Sequence, residues 1–109
     1  MQEIKIYVGL NDSESLDQKF DSSVYISLLK NICFAYRVPF SFNMVEGGYF
    51  HENGEYTQEN TLVLTLIDVD GEVAEEIAKD LCAFFHQESV LMTASDLKAV
   101  FIQEKLTVD

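Results

Sequence analysis

Six side chains in three short stretches could do chemistry together: Tyr7 and Asn11, then Tyr49, His51 and Glu59, then Gln87. Small-ligand sites need a few polar groups converging on an aromatic wall, and two phenols, two amides, an imidazole and a carboxylate supply that mixture. The six meet only where the end of one strand, a hairpin and the segment after a helix come together. Three of them also have a plainer use: Asn11 can cap a turn, Tyr49 can pack across hairpin glycines near Gln58, and Glu59 can bond backbone at a bulge.

Other chemistries lack their residues. His51 and His86 are the only histidines, with Glu52 and Glu88 as neighbours, and neither has a third ligand at helical spacing, so no metal is expected. Cys33 and Cys82 stand beside Ile32 and Leu81 in helix-like segments, far from Cys-x-x-Cys spacing, and read as buried thiols. No strand-Ser-helix elbow occurs, so no nucleophile and no catalytic residue is assigned. Gly47-Gly48 lies inside a hairpin and not before a helix, where it would cradle phosphate. Carboxylate pairs are too common in this chain to mark an acid-base site. No cofactor is implied.

The charge balance excludes partners as well. Nineteen Asp plus Glu against seven Lys plus Arg give a net charge of -12, which repels nucleic acid and anionic lipid and permits a basic protein partner, although keeping a small protein soluble is use enough for it. The opening MQEIKIYVGL lacks a basic region before a long apolar core, and no apolar run approaches the ~18 residues of a membrane helix, so a cytoplasmic location is expected. With 109 residues, 48% of them hydrophobic, one proline and five glycines, residues 1–109 read as a single globular domain.

The elements follow from periodicity. Glu3 to Leu10 alternates, with Ile4, Ile6, Val8 and Leu10 on one face, and reads as strand one. Asn11 to Lys19 is polar and reads as a loop. Helix one starts after Asp21, Ser22 or Ser23 and runs to about Tyr36 before Val38-Pro39. Its second apolar set, Val24, Ile26, Cys33 and Phe34, is wider than one sheet face can cover, so it should also meet helix two or another subunit. Phe40, Phe42 and Met44 mark strand two, Asn53-Gly54 a type I′ hairpin turn, and Tyr56 to Val69 strand three. Counted from that turn, the apolar sets face one another only if an extra residue is absorbed at Gly47-Gly48, so a glycine bulge is expected there. It would set Met44 against Leu62, Phe42 against Leu64 and Phe40 against Leu66. Glu72 to His86 is helix two, Ser89 to Thr93 strand four, Ala99 to Ile102 a further short strand paired to strand four or to a neighbour, and Lys105 to Asp109 a loose tail.

Right-handed crossovers then give a ferredoxin-like βαββαβ sandwich, an antiparallel sheet ordered 4-1-3-2 with both helices on one face. The other face, with Lys5, Tyr7, Ser41, Asn43, Val45, Val63, Thr65 and Ile67, stays open and half apolar, which predicts a homodimer or higher homo-oligomer.

Three stretches carry a resemblance: Ile6 to Asp12, Gly47 to Gly54 leading to Glu59-Asn60-Thr61-Leu62, and Gln87 to Leu91. Together they resemble an uncharacterised family of small bacterial and phage proteins, which implies the ferredoxin-like fold and supplies no activity. Three functions fit. The first is a binding or regulatory module that holds a small molecule or peptide between subunits or against the hairpin. The second is a phage-type acidic inhibitor of a nucleic-acid enzyme, and the third a small enzyme using Tyr, His and Glu at the hairpin.

Overall fold

The computed structural model describes residues 1–105. Strand β1 (Gln2–Gly9) places Ile4, Ile6 and Val8, with Leu10 just beyond it, on one face, each at most 2% exposed. Burying such side chains contributes about 1.5–3 kcal/mol each, which is why the alternation fixes the face. Helix α1 (Ser22–Tyr36) is capped by Asp21, whose carboxylate accepts from the N–H and hydroxyl of Ser23. It ends at Arg37 in a left-handed conformation, two residues before Pro39. Strands β2 (Ser41–Phe50) and β3 (Tyr56–Ile67) form the long hairpin, α2 (Gly71–Phe84) follows with Asp70 as cap, and β4 (Leu91–Asp96) closes the chain of elements.

The sheet is antiparallel in the order β2-β3-β1-β4, the ferredoxin-like arrangement expected. Leu62, Leu64 and Leu66 of β3 meet the apolar face of β1, and Tyr25, Leu29, Ile32, Cys33, Ala74, Ile77 and Leu81 close over them from the helices. Burial pushes the Cys33 thiol up to about 11. Tyr25 packs edge-on against Phe85 at 5.2 Å, and the Tyr36 hydroxyl donates to Asp80 at 2.7 Å, so α1 does meet α2. Val24 and Phe34 of its wider stripe stay exposed.

The hairpin register is the expected one, with Met44 opposite Leu62 and Phe42 opposite Leu64, but its cause is different. No bulge interrupts Gly47 or Gly48, which pair regularly with Glu59 and Gln58. The odd residue is taken at the tip. Gly54 N–H donates to His51 O at 2.9 Å, His51 N–H donates to Glu55 O at 2.8 Å, and Gly54 alone in the loop has positive φ, +88°. This is a type I turn followed by a left-handed glycine, a three-residue loop in place of the two-residue type I′ turn. Gly48 makes room for the Tyr56 phenol, which a Cβ there would overlap.

Other boundaries shift. Helix α2 ends two residues early because His86 turns left-handed, φ 56°, and β4 starts at Leu91, opposite Tyr7, instead of Ser89. The expected strand at Ala99 to Ile102 does not form within this chain. After Leu97 N–H bonds Met1 O, the segment runs on with Val100, Phe101 and Ile102 all more than three-quarters exposed. Of the expected tail, residues 106–109 lie outside those described. Among the described residues no element covers the face opposite the helices, as expected, although Val63 is only 6% exposed there between its neighbours Tyr7 and Asn43.

Candidate functional site

The site starts from a vacancy in β1. Gly9 pairs with Thr61, and the space its side chain would fill is taken by the Glu59 carboxylate, which a Cβ at Gly9 would overlap. The carboxylate is held there by Asn11, whose backbone N–H donates to Glu59 Oε2 at 3.1 Å. Asn11 is fixed in turn: its side-chain amide donates to Gln58 O at 3.2 Å, and its own carbonyl accepts from Gln87 Nε2 at 2.6 Å. Gln87 Nε2 also donates to Phe85 O at 3.3 Å, so the end of α2 is tied to the end of β1 beside Glu59.

Asp12 completes the tie. It is 5% exposed and accepts the backbone N–H groups of Glu14 at 2.9 Å and Ser15 at 3.1 Å. Lys19 Nζ at 3.4 Å and His86 Nδ1 at 3.2 Å face the same carboxylate oxygen. Those backbone bonds, with Lys19 adding to them, hold Asp12 below the usual carboxylate range. Ser13 N–H donates to His86 O at 3.0 Å, a second strap between the β1–α1 loop and the turn after α2.

Between these parts lies an open depression of about 320 Å3. Asn11, Asp12, Ser13 and Leu16 form one side, Gln87, Glu88 and Ser89 another, and Tyr49 and Glu59 the hairpin side. None of these nine residues is Lys or Arg. The wall offers carboxylates, hydroxyls, amides and one phenol ring, and so suits a ligand that is cationic or rich in donors.

Four of the six residues singled out from sequence, Asn11, Tyr49, Glu59 and Gln87, line this depression. Tyr7 does not. It sits two residues before Gly9 on the same open face, opposite Val63 and Leu91. His51 is also outside: its ring stands edge-on to Tyr49 at 5.0 Å, and its Nε2 shares a 2.7 Å hydrogen bond with the Thr57 hydroxyl. His51 thus packs against the Tyr49 ring while tied to Thr57 on the facing strand. Sequence reasoning missed Asp12, Ser13, Leu16, Glu88 and Ser89. Asp12-Ser13-Glu14-Ser15 did carry a signal, since an Asp before such a run closes an Asx-turn on its own backbone. Among the described residues no group of three His, Cys, Asp or Glu could hold a metal ion, and no helix is long and apolar enough to cross a membrane.

No protein-family model matches the sequence, and no curated protein matches it. Solved structures do. A phage SAM lyase in complex with S-methyl-5'-thioadenosine is similar at 23% identity and TM-score 0.64, over 87% of this chain and 80% of its own. The same match to a phage SAM lyase in the apo state covers 86% and 78%, again at 23% identity and TM-score 0.64. CutA from Pyrococcus horikoshii, in the presence of 3 M guanidine hydrochloride, is similar at 16% identity and TM-score 0.50, over 93% and 88%. At these identities the likeness is one of fold alone.

Proposed function

We propose that this chain is a homo-oligomeric protein that binds an adenosyl sulfonium or thioether, a ligand of the S-adenosylmethionine class, in the depression between Asn11, Tyr49, Glu59 and Gln87. The observation that carries the reading is the Glu59 carboxylate, held by the Asn11 N–H beside an accessible Tyr49 ring, in a wall without Lys or Arg. A sulfonium is a cation without N–H donors, so a carboxylate and a π face are what attract it. Ribose hydroxyls and an adenine amine would donate to the remaining acceptors. The same wall repels nucleotides that carry phosphate. That a phage SAM lyase of this fold holds S-methyl-5'-thioadenosine supplies the ligand to try first.

Oligomerisation is supported by shape. The radius of gyration is 16.9 Å, against ~13 Å for a compact chain of this length. The excess goes with the long hairpin, where Phe50 and Tyr56 are exposed, and with the apolar Val100 to Ile102 segment. In isolation such arms leave apolar surface in water. Light scattering should give a mass that is a multiple of the chain mass, and a monomer at high micromolar concentration would remove this part.

A second reading is favoured by Tyr49 and Glu59 sharing one wall: the sulfonium is bound and also cleaved there. The bond from sulfur to the methionyl Cγ breaks with its electron pair kept by sulfur, leaving neutral S-methyl-5'-thioadenosine, while an oxygen of the substrate's own carboxylate bonds to that Cγ and the amino-acid part leaves as a lactone. A thermal-shift series with S-adenosylmethionine, S-adenosylhomocysteine, S-methyl-5'-thioadenosine and ATP tests binding, because a ligand at 100 times its Kd adds ~2.7 kcal/mol of stability. Chromatography of the S-adenosylmethionine sample tests cleavage. Stabilisation by the first three with no new thioether leaves a binding module, release of S-methyl-5'-thioadenosine identifies an enzyme, and stabilisation by ATP alone rejects both.

A further inference from the structure

The Glu59 side chain is long and flexible, and a half-open depression alone would let it sample several rotamers. Its orientation is nevertheless set by an unbroken set of contacts that begins outside the hairpin. Gln87 follows α2, and its backbone is held on both sides of its Cα: its N–H donates to Cys82 O at 2.9 Å, and its carbonyl accepts from Cys82 Sγ at 3.2 Å. From that anchored position its side-chain amide reaches across to the Asn11 carbonyl at 2.6 Å. Asn11 then presents its N–H to Glu59 Oε2.

We infer that Gln87 is the positioning residue of the Glu59 carboxylate, acting through the Asn11 backbone and without itself supplying the charge that the ligand meets. The inference rests on the proposed reading that Glu59 faces the ligand. It adds to that reading the reason a chain would place a glutamine amide after its second helix: the helix end becomes the reference point for the hairpin carboxylate. A turn that needed only to be closed already has two backbone straps, Ser13 N–H to His86 O and Gln87 N–H to Cys82 O. The side-chain amide of Gln87 adds a 3.3 Å bond to Phe85 O within that turn, but its shorter bond, 2.6 Å, goes to Asn11 O in the next element.

The test compares wild type with Gln87→Met, which keeps length and loses the donor, and with Glu59→Gln. Two measurements are made. In the ligand-free protein, amide exchange at Asn11 should quicken by about tenfold in Gln87→Met, while exchange at Leu62 stays as in wild type. In calorimetry, Gln87→Met should weaken S-adenosylmethionine about tenfold and S-adenosylhomocysteine, its neutral thioether counterpart, by less than about twofold. The double variant with Glu59→Gln should bind S-adenosylmethionine no more weakly than Glu59→Gln alone, since a positioning residue has nothing left to position.

Equal weakening of both ligands, additive losses in the double variant, or unchanged exchange at Asn11 would each overturn the inference and leave Gln87 a merely structural brace. If wild type binds neither ligand, the proposed function falls by that result alone. The exchange measurement then still decides whether Gln87 orders Asn11.

Discussion

The carboxylate of Glu59 occupies the side-chain position of Gly9, on the strand two places removed from its own hairpin partner strand. One residue thus lacks a side chain so that another can lie across it and meet the Asn11 N–H. Gly9→Ala should therefore expel the carboxylate and leave that N–H without its acceptor. The expected result is a loss of about tenfold or more in affinity for a cationic ligand, measured by calorimetry, with the sheet retained by circular dichroism.

Gly54 and Gly71 test the hairpin account as a pair. Neither has an atom within 4 Å of where a Cβ would stand, so space is not at issue at either position. Gly54 has φ +88° and closes the three-residue loop, so Gly54→Ala should cost about 1–2 kcal/mol of stability. Gly71 opens α2 without positive φ, and Gly71→Ala should stabilise by about 0.4–1 kcal/mol. Denaturant midpoints measure both, and equal effects of one sign would contradict the tip geometry.

Asp12 gives the chain an acid-sensitive strap. The backbone N–H groups of Glu14 and Ser15, with Lys19, favour its charged form in the fold, so its folded value lies below the ordinary 3.8. The stability it contributes is complete above that ordinary value and is lost as pH falls through the folded one. Urea unfolding of wild type and Asp12→Asn at steps from pH 7 to pH 2 should show wild type ahead at neutral pH, with the gap closing at the acid end. A constant gap would place the benefit of Asp12 elsewhere than in its charge.

How far these relationships were legible in the residues differs by element. The alternation of Ile4, Ile6, Val8 and Leu10 and the paired leucines 62, 64 and 66 settle strand order and register, since a one-residue slip would send each set to water. The tip was misread because Asn53-Gly54 promises a two-residue turn, whereas here Asn53 keeps negative φ, accepts from Glu55 N–H at 3.0 Å and leaves the left-handed position to Gly54. Val100-Phe101-Ile102 has every local trait of a strand and finds no edge in its own chain, because pairing is decided by neighbours that propensity cannot see.

Asn11, Tyr49, Glu59 and Gln87 could be gathered from sequence once the topology was in hand, because hairpin, strand end and post-helix turn converge in this fold. Tyr7 and His51 could not be sorted out the same way. Their place depends on how far along a shared face the depression extends, and strand parity says only which side they are on. The Gly9–Glu59 relationship was hidden for a similar reason: a glycine in a strand signals close approach, and which side chain approaches is set by register.

The central claim is that the Glu59 carboxylate, in a wall with no Lys or Arg among its lining residues, selects a cationic adenosyl ligand. Titration calorimetry of S-adenosylmethionine into wild type and Glu59→Gln, with ATP as comparison, tests it most directly. The expected result is saturable binding of S-adenosylmethionine to wild type, weakened at least about tenfold in Glu59→Gln, and no binding of ATP. Equal affinity of both proteins for S-adenosylmethionine, or binding of ATP as tight as that of the sulfonium, would contradict it.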